Sequence, residues 1–151
     1  MRYRPFGPSG AAVSAITLSV GAEMLARGRE AAMSLLFAAL EQGINSYRLE
    51  TADPVVAEVL GEALSHLDRK LALVSLTLGE VDPRRQVRDF TSEGITAAVD
   101  RVLHYSGLGW IDVAVLDAPG EHELRYAGLN ALKTMKRTER LRLAGERRAL
   151  V

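Results

Sequence analysis

Side chains with oxygen ligands stand near the predicted carboxyl ends of three strands, where they could do chemistry. Glu50 and Asp53 follow one apolar strand. Thr77 lies near the end of the next strand, and Asp117 closes a third. Carboxylate and hydroxyl oxygens suit a hard divalent cation, so a metal site at Glu50, Asp53 and Asp117 is one interpretation. The other is that these carboxylates line a water-exposed mouth or cap a helix. Because metal sites need more convergent ligands than these, we expect no bound metal.

The remaining metal-binding residue types give no second candidate. His66, His104 and His122 fall on three different predicted helices without ligand spacing, so we interpret each as a surface residue. The sequence contains no cysteine, which excludes disulfides and thiolate metal sites.

Composition favours one compact domain over residues 1–151. The 151 residues are 48% hydrophobic, enough to bury a core. Nineteen basic and nineteen acidic residues cancel, which removes the long-range field that attracts nucleic acid or an anionic membrane. The start lacks the apolar segment of a secretory signal, and no apolar run approaches the ~20 residues that span a bilayer. We therefore expect a cytoplasmic protein without nucleic-acid or membrane partners.

Hydrophobic patterning predicts alternating strands and helices after an opening hairpin. The hairpin pairs Tyr3–Phe6 with Ala12–Ala15 around a turn at residues 7–10. The predicted strands then span residues 16–20, 45–50, 71–78, 110–117 and 141–144. This order, a hairpin, about four β-α units and a short final strand, is typical of an α/β fold with a parallel sheet.

Apolar residues at helical spacing and capping residues place the four helices between these strands. The first helix has its apolar stripe at Ala31, Leu35, Leu36, Ala39 and Leu40 and ends at Gly43, a left-handed cap. Asp53-Pro54 begins the second helix, and Thr91 or Ser92 begins the third. The fourth spans residues 121–137. The apolar run from Leu71 to Leu78 predicts a strand buried on both faces, and the segment from Gly79 to Arg88 a loop.

Five strings in this order resemble the aldo-keto reductase family, whose members fold as a (β/α)8 barrel and reduce carbonyls with NADPH. MRYRPFGPSGAAVSAITL is similar to the family's hairpin and first strand, with Phe6 in place of Leu. ALEQGIN, TAD and EVLGEAL are similar to the run from the first helix to the second, and DFTSEGITAAVDRVL followed by GLGWIDVAVLDAP to the third helix and fourth strand. The resemblance implies a partial TIM-type barrel. An unrelated flavodoxin-like domain is the alternative.

The resemblance places the family's catalytic Asp, Tyr, Lys and His at Glu50, Val55, Thr77 and Asp117. In the family the tyrosine hydroxyl protonates the carbonyl oxygen, and the lysine, paired with the aspartate, and the histidine tune its acidity. Val55 has no proton to donate and Thr77 has no ammonium, while Glu50 alone preserves the charge. Losing one acid-base group commonly lowers a rate by about 10²–10⁴-fold, so we predict no catalytic residues. Tyr47, in a strand, and Tyr105, on a helix, are not at a strand end and are not expected to replace the donor.

The family's cofactor contacts are also changed. Where the family has glycines on the first strand, this chain has Thr17 and Ser19, whose side chains fill the space of the nicotinamide. Where the family has a Ser-Asn pair after the fifth strand, Gly145 is followed by Glu146 and two arginines. We expect the family's phosphate-binding loops after the seventh and eighth strands to be absent, since the sequence stops at Val151 and whole barrels take ~250 residues. NADP is implied by the resemblance only, and we expect no cofactor.

A sheet of this size leaves open edges and an inner face that a full barrel would cover. We therefore expect a protein partner or a second copy, and the function we predict is that of a non-catalytic relative acting through protein-protein contact, with regulation as one such role. Non-enzymatic members of the family, among them potassium-channel β-subunits and bacterial cell-division regulators, support this by analogy. The alternatives are an NADPH-dependent oxidoreductase assembled from two half-barrels and a divalent-cation-dependent activity.

Overall fold

The fold alternates strands and helices, as the hydrophobic pattern predicts. The structure is a computed structural model that describes residues 1–7, 10–82, 87–123 and 129–147. In chain order, the strands in these ranges are β1 (Tyr3–Pro5), β2 (Ala12–Ser14), β3 (Leu18–Val20), β4 (Ser46–Leu49), β5 (Leu73–Leu78), β6 (Glu80–Asp82), β7 (Val87–Arg88), β8 (Ile111–Asp117) and β9 (Leu141–Arg147). The α-helices are α1 (Arg29–Glu41), α2 (Pro54–Leu64), α3 (Ser92–Ser106), α4 (Glu121–Glu123) and α5 (Leu129–Arg137).

The central sheet consists of parallel strands in the order β3-β4-β5-β8-β9 within the described part of the chain. Each neighbouring pair is joined in sequence by a helical connection, and the helices α1, α2, α3 and α5 pack side by side in that order. This is the arrangement expected of successive right-handed crossovers. The strands β1 and β2 pair antiparallel in a sheet of their own. The predicted hairpin and the predicted β-α alternation are therefore confirmed, although residues 8 and 9 of the predicted turn lie outside the described residues.

Capping residues set the helix boundaries where the sequence predicts them. Asp53 caps α2, its Oδ1 accepting hydrogen bonds from the backbone N–H of Val55 (2.9 Å) and Val56 (3.1 Å). The Thr91 Oγ1 does the same for α3, accepting from the Gly94 N–H at 3.0 Å. After α1, Gly43 has a φ of +80°, and the N–H groups of residues 43 and 44 return to the carbonyls of residues 40 and 39. That pair of bonds closes the helix in the left-handed motif that favours glycine.

Several predicted boundaries and faces are wrong. The strand predicted from Leu71 begins at Leu73, because residues 69–71 form a 3-10 turn capped by Asp68 and leave Leu71 61% exposed. The first parallel strand is shorter than residues 16–20, and residues 22–27 form an unpredicted 3-10 helix with no buried residue. On α1 the buried stripe is Ala32, Leu36 and Ala39, while Leu35 is exposed.

The connections near the carboxyl ends of the strands also differ from the prediction. The segment predicted as a loop from Gly79 to Arg88 contains the antiparallel pair β6–β7, with residues 83–86 outside the described residues. The predicted helix over residues 121–137 is described as α4 and α5, and residues 124–128 lie outside the description. The final strand is longer than residues 141–144 and ends at Arg147.

The two faces of the sheet are unequally buried, which overturns the expectation that β5 is buried on both sides. Along β5 the residues alternate between fully buried and half-buried. Its buried side chains, Val74, Leu76 and Leu78, share the main core with residues of the helices, whereas Ser75 and Thr77 face the other side. We call this second side the open face; it includes Ser19, Arg48 and Val113 on neighbouring strands.

A charged cluster closes the amino end of the sheet. Asp112 is buried, and its Oδ2 accepts from the Arg69 guanidinium (2.6 Å) and from the Val74 N–H (2.8 Å). Its Oδ1 accepts from the indole N–H of Trp110 at 2.9 Å. The guanidinium carbons of Arg69 and Arg142 lie 4.6 Å and 4.1 Å from the centroid of the Trp110 ring. One carboxylate thus ties together β5, β8 and the 3-10 turn before β5.

Among the described helices, none is long and apolar enough to span a membrane.

Candidate functional site at the carboxyl ends of the strands

The positions that the resemblance assigns to catalysis lie along the carboxyl end of the sheet or beside it. Glu50 directly follows β4, Val55 is in the first turn of α2, Thr77 is the penultimate residue of β5, and Asp117 ends β8. In barrels of this type, functional groups gather at this end because every strand delivers a loop there. The predicted placement of Glu50 and Asp117 at strand ends is correct.

Glu50 lies against the end of β3. Its backbone N–H donates to the Val20 carbonyl at 3.1 Å, which extends the pairing of the two strands by one residue. The side chain then turns toward Gly21, where an added Cβ would come within 2.5 Å of the carboxylate Oε2. Glycine at position 21 therefore leaves the room that the longer glutamate side chain occupies.

Val55 presents an aliphatic side chain at the amino end of α2. The side chain is 50% exposed, and the backbone N–H is bound to the capping carboxylate of Asp53. An isopropyl group can neither donate nor accept a proton. Asp53, one of the weak metal candidates, is thereby used as a helix cap, which is the second interpretation given to it from sequence.

Thr77 is hydrogen-bonded to Arg48, a residue that the sequence pattern did not identify as part of a site. The Nε of Arg48 donates to the Thr77 Oγ1 at 3.3 Å, across the pair β4–β5. The alternation in Ser-Tyr-Arg-Leu, with Tyr47 and Leu49 buried in the core, was the available signal for Arg48, since it assigns residue 48 to the opposite face. The partner itself depended on the strand register, which single-sequence patterning does not give.

Asp117 is partly buried, and the backbone that follows it is strained. Ala118 has a φ of +49°, a conformation that costs a non-glycine residue about 1–2 kcal/mol. The Arg88 guanidinium donates to the carbonyls of Asp117 and Ala118, the latter at 3.1 Å, and so fixes this turn from β7. The turn is shaped by backbone contacts, and no histidine occupies it.

The three carboxylates do not converge on a cation position. Over the described ranges, no group of three or more histidine, aspartate or glutamate side chains lies close enough together to hold a metal ion. The three histidines are exposed, as predicted; His66 packs against Phe37, and His104 against Tyr105.

Tyr47 does not face the candidate site. It is fully buried on the helix side, and its hydroxyl donates to the Ile44 carbonyl at 2.7 Å. Burial raises the pKa of Tyr47 to about 12. A tyrosine so placed is a weaker acid than a free one. Tyr105 lies half-exposed on α3.

The raised pKa predicts a loss of stability at high pH. The unfolded chain releases the Tyr47 proton near pH ~10 and the folded chain near about 12, so the stabilisation is complete below pH ~10 and declines between the two. The expected slope is about 1.4 kcal/mol per pH unit. Urea unfolding at several alkaline pH values should show a steeper decline for the wild type than for Tyr47→Phe, which lacks the ionisable group. Equal declines would contradict the assignment.

Solved structures share this architecture, whereas comparison of the sequence with family models and curated proteins finds no match. AKR11C1 of Bacillus halodurans, an aldo-keto reductase in its holo form, superposes with a TM-score of 0.80 at 21% identity, over 97% of this chain and 50% of that chain. PA4992 of Pseudomonas aeruginosa, described as an aldo-keto reductase, gives a TM-score of 0.80 at 25% identity, over 97% of this chain and 60% of that chain. The thermostable aldo-keto reductase Tm1743, solved with the inhibitor epalrestat, gives 0.79 at 15% identity, over 97% and 53%.

These likenesses define the class of fold. The chain has the α/β fold of a partial (β/α)8 barrel of the aldo-keto reductase type, which confirms the fold class and the resemblance predicted from the sequence. It spans between 50% and 60% of the length of these solved chains.

Proposed function

We propose that this chain is an aldo-keto-reductase-like protein without the family's carbonyl-reducing activity, acting through contact with another protein chain. The observation that supports this most is the half-exposed Val55 at the position of the family's tyrosine. Protonation of a carbonyl oxygen needs a donor within hydrogen-bond reach, and an isopropyl group offers none. At the lysine position, the Thr77 hydroxyl accepts from Arg48, and no ammonium is present to lower the pKa of a donor.

The sheet supports the second part of the proposal. Its outermost described strands, β3 and β9, each pair with one neighbour only. Unpaired strand edges and a half-exposed face are surfaces that proteins cover, by another part of a barrel, a second copy or a different protein. Contact with a covering protein accounts for why strands shaped for a barrel wall are retained without the catalytic groups.

The loss of reduction is tested by incubating the purified chain with NADPH and a panel of aldehydes. We expect no oxidation of NADPH above the buffer rate, with a carbonyl-reducing aldo-keto reductase as the positive control. NADPH fluorescence should show no saturable binding in the micromolar range. Any turnover above the buffer rate would refute the proposal, and turnover that survives Thr77→Val and Glu50→Gln would show in addition that other residues catalyse the reaction.

Covering of the sheet is tested by light scattering over a range of protein concentrations. We expect a mass above that of one chain, or a stable complex when a covering protein is present. A monomer that persists at high concentration, and whose amides on β3 and β9 exchange no more slowly in a cell extract than in buffer, would contradict the contact.

The alternative function is an NADPH-dependent oxidoreductase assembled when two partial barrels pair. The likeness to a holo-form aldo-keto reductase favours it, because the fold is compatible with a cofactor site completed by other chain segments. The same NADPH titration decides between the two, since micromolar binding supports the oxidoreductase.

A further inference from the structure

We propose that the open face of the sheet binds a small oxyanion, a phosphate or carboxylate group, with Arg48 as the central contact. The open face contains a cleft of about 500 Å³ between the sheet and the hairpin. Strands β3, β4, β5 and β8 each contribute to its wall, and Phe6 and Val13 of the hairpin region close one side.

Arg48 occupies the middle of this wall. On β4 it is in register with Ser19 of β3 and with Ser75 of β5. The bond from its Nε to the Thr77 hydroxyl uses one of the five N–H groups of a guanidinium. This bond fixes the plane of the fork, and a fixed fork is the geometry that pairs with two oxygens of one anion.

Hydroxyl groups around Arg48 add further donors. The Thr77 oxygen accepts from Arg48, so its own proton is available for a ligand. Thr17 and Ser46 share one hydrogen bond of 2.8 Å, which engages only one of their two protons. Ser19 is exposed in the cleft. A ligand here meets a cation and several O–H donors on one surface.

Acceptors are scarce in the same place. Among the described residues that line the cleft, none is acidic. Leu73 and Val113 supply apolar wall, and an apolar wall strengthens an ionic hydrogen bond by lowering the local dielectric. An excess of donors around a cation, on a wall whose described residues include no carboxylate, selects an oxyanion over a neutral or cationic ligand.

Anion binding at Arg48 does not depend on whether the chain reduces carbonyls. Arg48 lies on the wall of the cleft, where its guanidinium binds the anion and takes no part in a reaction. A protein that covers the open face would enclose the bound anion. Alternatively, a carboxylate side chain of that protein would bind the Arg48 guanidinium, which is the same oxyanion chemistry from a second source.

The test is an amide NMR titration of the intact chain with inorganic phosphate and, separately, with acetate, at ionic strength held constant by sodium chloride. We expect saturable shifts at residues 19, 48 and 75 with at least one of the two anions. Arg48→Gln should weaken that binding by about tenfold or more, and Arg48→Lys should weaken it less, because lysine keeps the charge and loses the fork. The anion that binds more tightly identifies the chemical group recognised.

Arg101→Gln is the matched control, since it removes the same charge from an exposed position on α3. It should leave the affinity unchanged, which separates local contact from the effect of net charge. If Arg48→Gln does not fold, Thr77→Val tests the same site by removing one donor and the anchor of the fork. Shifts with neither anion beyond those given by chloride, or equal affinity in Arg48→Gln and Arg101→Gln, would overturn the proposal.

Discussion

Replacing Asp112 by alanine should lower the free energy of unfolding by about 3–5 kcal/mol, the largest effect we expect from removing one charge. The change leaves the Arg69 guanidinium buried without its carboxylate, because both side chains are mostly enclosed. It also removes the acceptor of the Val74 N–H and of the Trp110 indole. Each donor left unsatisfied in the interior costs about 1–3 kcal/mol. Urea unfolding at neutral pH measures the loss.

Asp100→Ala is the control for this prediction. Asp100 pairs with Arg140 at 2.9 Å, but both side chains are nearly half exposed. Exposed pairs contribute at most about 1 kcal/mol, so this variant should stay within that range of the wild type. In the double variant Arg69→Met with Asp112→Ala, the combined loss should be smaller than the sum of the single losses, since no buried cation remains unpaired. A loss below ~1 kcal/mol in Asp112→Ala would refute the role of the carboxylate.

The sequence was sufficient where local chemistry decides the structure. Asp53 and Thr91 are helix caps in any context that lets a helix begin after them, and Gly43 adopts the left-handed conformation that ends α1. The spacing of apolar residues located α2 and α3 because each presents one stripe to the core. The parallel order followed from the alternation of these elements.

The sequence did not predict which face of an element is buried where nearly all of its residues are apolar. The run Leu71–Leu78 is nearly all apolar, so its alternation was masked, although the hydroxyls of Ser75 and Thr77 mark the half-buried side. At Leu71 the Asp68 cap diverts the chain into a 3-10 turn before β5 begins. On α1, the predicted stripe included both of the adjacent residues Leu35 and Leu36, and in the structure only Leu36 of these two is buried.

The sequence predicted where the candidate site lies on the sheet, but not which of its side chains contact each other. Strand ends follow from the pattern, so Glu50 and Asp117 could be placed along one end of the sheet. The contact of Arg48 with Thr77 joins residues 29 positions apart, and a shift of one residue in the register would turn one of them to the other face. Side chains that meet across parallel strands therefore need the structure.

Gly61→Ala should destabilise the chain by about 3 kcal/mol, against the usual benefit of alanine in a helix. Inside α2, alanine is favoured over glycine by about 1 kcal/mol. At this position, however, an added Cβ would lie 1.9 Å from the Ser106 carbonyl oxygen and 2.6 Å from its Cα. These are backbone atoms at the end of α3, held by the left-handed cap at Gly107, so they cannot rotate away as a flexible side chain would. The clash outweighs the propensity, and α2 and α3 must separate.

The control for this close approach is Gly109→Ala, because a Cβ there meets nothing within 4 Å and the backbone conformation suits any residue. That variant should unfold within about 1 kcal/mol of the wild type, or slightly later, since alanine restricts the unfolded chain. Thermal and urea unfolding of both variants compare the two glycines directly. If Gly61→Ala proved as stable as Gly109→Ala, α2 and α3 would not touch at Ser106, and the side-by-side packing of helices that defines this partial barrel would need a different geometry.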